Sequence, residues 1–387
     1  MQQDREIRRV DTLIVGGGIS GLACGRALAQ AGHDFLLVTD RAGGRMYTSD
    51  TGLPFGAAYI TSDYRHVLPL ADHGKRISKK DVYTWDGSRF ITMLSPRNVW
   101  RLGKLATLYR LLTSFRRRLN ELRRRAPFEC QAALMEADPL LRRYVEQPAT
   151  DFVREHHLEE VTEVYSAPLF HSTLFVPWQE ANAFYYLANL FPILVSTYPL
   201  DLRRAAERLT DGWNDRVLLQ KITAVEELDG EGFIAHAGER RWQAKNLVLA
   251  IPDRNARSLL EVPSFARDVP YATLHVRGRR RRQFVTGGIV FLRSEHPARV
   301  LWPQANGDDI VFSATTDPDL SAYYEGYELT GAVYWKTAVQ LSSDRWRPLE
   351  PRPHLFTIGD HNIVGLEDCY LTGLYAANRI LGRRGPD

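Results

Sequence analysis

Cysteine is scarce in this sequence: the 387 residues hold three, Cys24, Cys130 and Cys369, odd in number and far apart. A disulfide framework is thereby excluded, as is the paired spacing of a structural zinc site, and the thiols are expected to be reduced. Long apolar runs are also missing. Nowhere do about 18 apolar residues follow one another, so no membrane span is predicted. The opening "MQQDREIRRVDTLIVGGG" has too short an apolar run for a signal peptide and reads as a buried strand, which makes cytoplasmic residence the expectation. Repeats and low-complexity tracts are absent. Charge of one sign is not in excess either, with 50 Lys and Arg against 46 Asp and Glu. The basic residues do cluster, in "FRRRLNELRRR" (115–125) and "RGRRRR" (277–282). No aromatic interleaving or nucleic-acid module accompanies them, so nucleic acid is not an expected partner. Solvated faces are the plain reading, with a peripheral membrane surface or a partner protein on the basic helix as the sharper one; a homodimer stays open.

What is present is an ordinary globular composition, 44% hydrophobic and 25% charged, on a chain long enough for two interleaved domains. The first forty residues read as strand, glycine turn, helix and strand: "VDTLIV", then "ISGLACGRALAQAG", then "DFLLVT". This is a βαβ opening with a parallel sheet. A hairpin is expected over 82–92 around Asp86-Gly87. Apolar residues at 102, 105, 109, 112, 115, 119 and 122 predict a helix with one buried stripe. Short strands are expected over 216–252 around the turn "LDGEG", and "HLFTIGD" followed by "TGLYAANRIL" repeats the strand-to-helix logic near the C-terminus. Three separated pieces, 1–78, 205–255 and 345–387, are thus expected to build a nucleotide-binding domain, and 79–204 with 256–344 a second one. "REHHLEE" (154–160) reads as a solvated helix, because adjacent histidines on a helix face different ways and make a poor metal site.

Gly16, Gly18 and Gly21 form G-x-G-x-x-G between that first strand and helix. The first glycine permits the tight turn, the second lets a pyrophosphate approach the backbone, and the third lets helix and strand pack closely. The positive end of the helix then faces the phosphates. A carboxylate near the end of the second strand normally holds the adenosine ribose; Thr39 occupies the expected place and Asp40 follows it. Arg41 and Arg45 could instead accept the extra phosphate of NADP, so the first motif leaves FAD, NAD and NADP open.

"RAGGRMYT" (41–48) resembles the R-x-G-G-R segment of the flavin amine oxidase superfamily, which includes amine oxidases, protoporphyrinogen oxidases and carotenoid desaturases. The resemblance implies an α/β fold, with a Rossmann-like FAD-binding domain and an interleaved α+β substrate domain. By position it implies that Gly43, Gly44 and Arg45 wrap the FAD pyrophosphate, and that Gly56 and Ala57 of "LPFGAAYI" lie beneath the flavin ring. The middle strands "VLLQKITAVEEL" and "NLVLAIP" are similar to those lying over the adenine, with the backbone near Ile222 in contact. "FTIGDHNIVGLEDCYLTGLYAANRIL" resembles the C-terminal flavin segment, which implies that Asp360 holds the ribityl chain or pyrophosphate and that the helix starting near Cys369 aims its amides at the flavin.

On this resemblance a small, largely apolar substrate would be dehydrogenated at a C–N or C–C bond, by hydride transfer to FAD across roughly 3–3.5 Å. The candidates for the flavin face are Tyr334, Trp335 and Lys336 of "GAVYWKTAVQL", together with His361. Lys336 could serve as base or orienter if burial lowered its pKa. The lysine usual in the amine-oxidising branch is not matched in "PYATLHVRG", which offers His275, and Gly365 stands where an aromatic residue flanks the amine. The segment "FHSTLFVPWQEANAFYYLANL" (170–190) resembles the helical stretch beside the substrate cavity, without identifying a contact. An isomerising flavoenzyme and a flavin-binding accessory subunit are the alternatives.

Overall fold

The computed structural model describes residues 7–228, 230, 232–263, 266–342 and 345–385. Its first strand, β1 (Arg8–Gly17), leads through Gly18 into helix α1 (Ile19–Gln30) and on to strand β2 (Phe35–Ala42). β1 lies inside a sheet and is buried on both faces, which is why its apolar residues run continuously instead of alternating. The strand Arg240–Leu249 pairs parallel with β1 on one side. On its other side it pairs antiparallel with Gly232–Ala237 over its first half and parallel with Leu355–Thr357 over its second. Val217–Leu219 adds to β2 at the far edge. One seven-stranded sheet thus gathers strands from three distant stretches of sequence.

Two helices cover one face of this sheet. α1 and the C-terminal helix Leu366–Ile380 touch so closely that a Cβ on Gly373 would lie 2.2 Å from the Ser20 carbonyl oxygen. Leu22, Leu28, Phe35, Val248, Phe356 and Ala376 are buried between helices and sheet.

A second seven-stranded sheet, built mainly from long antiparallel strands, centres on Ala266–Arg280 paired with Tyr324–Ser342. The hairpin expected over 82–92 forms, with Thr84 opposite Ile91, and adds to this sheet's edge. The turn "LDGEG" lies partly outside the described residues, at Asp229 and Glu231.

The helix expected from Leu102 runs to Arg125 (α2). Its buried stripe is Leu108, Leu112, Phe115, Leu119 and Leu122: the expected phase holds from Leu112 on, whereas Leu102 and Tyr109 are exposed and Leu108 takes the place of Tyr109. Much of its positive charge is compensated internally: Arg116 pairs with Asp63, Arg118 with Asp138, Arg124 with Glu121 and Arg125 with Glu129. Arg123 is buried in a bidentate pair with Asp368, at 2.9 and 2.6 Å. The helix Ala149–Glu155 stops before the paired histidines, and His157 adopts φ 52°, so "REHHLEE" is a helix end and not a continuous helix. Among the described residues no cluster of His, Cys, Asp and Glu has a metal-binding arrangement, and no helix is long and apolar enough to cross a membrane.

Candidate functional site

A cavity of about 500 Å³ opens where the first sheet, the C-terminal helix and the strand Tyr324–Ser342 meet. Its floor is the first glycine turn. Gly16 sits at φ 110°, and a Cβ there would be 2.4 Å from the Ala250 carbonyl oxygen, so only glycine fits. Gly21 is tighter still, 2.0 Å from the Gly16 oxygen; it packs helix on turn and does not line the cavity. At Gly18 a Cβ would meet no protein atom within 4 Å, so its bare backbone faces open space. Gly18 is also the uncapped start of α1, with no side chain bonding the first amides.

The second glycine loop closes on the first. Gly43 donates its N–H to the Gly17 carbonyl at 2.8 Å, and a Cβ on Gly44 would come within 3.1 Å of the Gly18 Cα. Thr39 fastens the two. Its buried hydroxyl accepts from the Gly17 N–H at 2.9 Å and donates to the Arg41 carbonyl at 2.8 Å. The hydroxyl is therefore consumed inside the turn, while Asp40, one residue on, is exposed and lines the cavity.

Arg45 and Asp360 form a bidentate pair, at 2.6 and 2.8 Å, and Arg45 also donates to the Ala338 carbonyl at 2.7 Å. Burial pushes the Asp360 carboxyl up, but the guanidinium beside it outweighs burial and holds the carboxyl below the usual carboxylate range. Gly43, Gly44, Gly56, Ala57, Ile222 and Cys369 also line the cavity. The Cys369 thiol is pushed up by burial and stays protonated. It lies in the first turn of the C-terminal helix, whose N-cap, Gly365, supplies no side-chain cap. The acidic residues of that turn face elsewhere: Glu367 accepts backbone N–H groups of Arg65, His66 and Val67, and Asp368 holds Arg123.

Of the four residues expected at the flavin face, Trp335 and His361 line the cavity. Strand alternation turns Tyr334, 45% exposed, and Lys336 outward to solvent, so neither reaches the cavity. The burial on which a role for Lys336 as base or orienter depended is not met. The Trp335 indole donates to the Phe55 carbonyl at 2.8 Å, and the Arg41 guanidinium lies 5.1 Å from its ring centroid. His361 is almost fully buried; its Nε2 lies 3.2 Å from the Ile358 carbonyl, and its Nδ1 lies 3.0 Å from Asp253 without a hydrogen bond. His275, by contrast, lies outside the cavity, stacked on Phe55 at 4.1 Å and 3.0 Å from the Pro54 carbonyl.

Sequence reasoning missed an aromatic wall. Phe175, at the end of the helix Ala167–Leu174, stacks on Tyr271 with ring centroids 3.9 Å apart, and both line the cavity. The Tyr271 phenol is pushed up to about 12 by burial and stays neutral. The segment 170–190 was the available signal, but which of its aromatics faces inward depends on long-range packing.

Residues 14–73 match the family described as an NAD(P)-binding Rossmann-like domain. With the sheet and glycine turn above, they define an α/β protein with a Rossmann-like dinucleotide-binding unit. No curated protein matches the sequence. Among solved structures, wild-type putrescine oxidase bound to putrescine superposes with a TM-score of 0.68 at 15% identity, covering 98% of this chain and 100% of that one. Cyclohexylamine oxidase from Brevibacterium oxydans IH-35A gives 0.67 at 15%, covering 96% and 98%. A CLA-producing fatty acid isomerase from P. acnes gives 0.72 at 13%, with the same coverage. The chain shares the fold of these three enzymes.

Proposed function

We propose that the chain binds FAD in the 500 Å³ cavity and works as a flavin-dependent oxidoreductase, dehydrogenating a C–N or C–C bond of a small, largely apolar molecule. The observation that carries this reading is the closed approach of the two glycine loops at Gly18 and Gly44, with the open space above Gly18 left to a ligand. Bare backbone beside an uncapped helix start is what a pyrophosphate requires. Arg45 offsets the Asp360 carboxylate, so that an anionic ligand meets a neutral pair and not a buried negative charge.

In this reading Asp40 takes the adenosine ribose, since the Thr39 hydroxyl is already engaged. The backbone at Ile222 would hold the adenine, and Gly56 and Ala57 would hold the flavin ring; all three line the cavity. The N-terminus of the Leu366–Ile380 helix favours negative charge at the ring's edge. FAD held there supplies a hydride acceptor. The chain's own residues then bind and orient: Phe175 and Tyr271 form one apolar wall, and Trp335 fixes the 55–57 segment through the Phe55 carbonyl. No side-chain base is assigned: Lys336 faces solvent, and His361 is almost fully buried against Asp253 and the Ile358 carbonyl.

The test is anaerobic mixing of the flavin-loaded protein with a panel of apolar amines and unsaturated compounds. Bleaching of the flavin by a compound that is converted supports dehydrogenation. Conversion without bleaching replaces it with the isomerising alternative.

A further inference from the structure

Beside the cofactor cavity lies a second one, of about 460 Å³, which shares Tyr59, Ser172 and Phe312 with it as common wall. Its volume suits a ligand of moderate size. The interior is apolar: Ile289, Phe291, Val300 and Trp302 of the second sheet face Leu169 of the helix Ala167–Leu174. The charge at its rim is of one sign. Arg76, Lys79 and Lys80 line it, and no Asp or Glu does. Among the described residues these three cations make no ion pair with a carboxylate; Lys79 instead donates to the Ile193 carbonyl. Burial, with Arg76 nearby, pushes the Lys79 ammonium down from its ordinary value. All three are exposed at the rim, where an anionic head could reach them and gain charge-assisted hydrogen bonds.

We propose that this second cavity binds an amphiphilic organic anion, its carboxylate-type head at Arg76, Lys79 and Lys80 and its apolar body running inward toward Tyr59, Ser172 and Phe312. The shared wall places the inner end of such a ligand next to the cofactor cavity, which makes it the substrate of the proposed flavoenzyme. Only the word substrate rests on the flavin reading; the binding claim rests on the second cavity alone. A simple amine is disfavoured here, since its ammonium would meet three like charges.

The experiment is calorimetric titration of the full chain, with and without added FAD, using dodecanoate, dodecanol and dodecylamine. Dodecanoate should bind about tenfold or more tightly than dodecanol, the difference expected from charge-assisted hydrogen bonds, and dodecylamine should be the weakest. Arg76→Ala with Lys80→Ala should bring dodecanoate down to the dodecanol value and leave dodecanol unchanged. Val300→Phe, which fills the cavity and leaves the rim intact, should lose both. Dodecylamine binding as well as dodecanoate, or dodecanoate unaffected by either variant, overturns the proposal. A protein that takes no FAD but binds dodecanoate refutes the flavin reading and keeps this one; a flavin-loaded protein indifferent to dodecanoate does the reverse.

Discussion

Arg45 and Asp360, separated by 315 residues in sequence, meet through two hydrogen bonds of 2.6 and 2.8 Å at the edge of the 500 Å³ cavity. The pair ties the second glycine loop to the C-terminal strand-to-helix turn. Gln340 adds a backbone N–H to Asp360 at 3.2 Å, bringing in the long strand of the second sheet. Arg45→Ala leaves a buried carboxylate without its cation. Breaking a fully buried pair costs roughly 3–5 kcal/mol. The Arg45 side chain is 34% exposed, so about 2–3 kcal/mol is expected after allowing for solvent screening. Urea unfolding of the variant measures it, and flavin content should fall in parallel. Because the folded pKa of Asp360 is depressed, the pair's contribution is complete above the unfolded carboxyl value near pH ~3.9 and is lost only as pH falls through the folded value.

The glycines separate fold from ligand. Gly18 has ordinary extended angles, φ −73° and ψ 176°, and a methyl there meets nothing in the protein. Gly18→Ala should therefore leave the melting temperature within about a degree or two while weakening FAD binding by roughly tenfold or more, since the methyl enters the space assigned to the pyrophosphate. Gly21→Ala, 2.0 Å from the Gly16 oxygen, should do the opposite first and destabilise the fold. Thermal melts paired with FAD titration distinguish the two.

On the strand beside the cavity, side-chain direction decides which residues matter. Lys336→Ala and Tyr334→Phe should leave flavin content and flavin absorbance unchanged, because both point to solvent. Trp335→Phe removes the hydrogen bond to the Phe55 carbonyl and should reduce flavin retention several-fold. Dialysis of the loaded variants against flavin-free buffer provides the comparison.

These faces were only partly legible in the sequence. The glycine turns could be read because their requirements are local: a tight turn at Gly16 and close packing at Gly21 depend on neighbours a few residues away or on the adjoining strand. Asp360 could be placed at the cavity through the resemblance of its segment to a C-terminal flavin segment, but not its bond to Arg45. The phase of Tyr324–Ser342 could not be read, because Tyr271 lies opposite Trp335 while Val269 lies opposite Val339, and that irregularity breaks simple alternation. Arg123, one of a run of arginines, is buried because Asp368 meets it from 245 residues away, and nothing in the run marks it. The Phe175–Tyr271 wall was hidden for the same reason.

His171 gives the fold a pH dependence of its own. It is buried, its Nε2 accepts the Trp178 N–H at 3.1 Å, and burial, with Arg299 nearby, pushes its pKa down to about 4. The unfolded chain, near ~6.5, then binds the extra proton between the two values, so stability present above pH ~6.5 is lost as pH falls toward 4. The loss by pH 4 should be roughly 2–3 kcal/mol. Urea unfolding from pH 7 to 4 should show a shallower slope in His171→Asn, and an identical slope would exclude this histidine as the cause.

The most direct measurement on the central claim is the visible absorption spectrum of the purified chain, alone and with added FAD, with the chromophore released by heat and identified. The two-banded spectrum of a flavin, released as free FAD and diminished in Gly18→Ala, is the predicted result. A colourless protein that takes up no FAD would contradict the account.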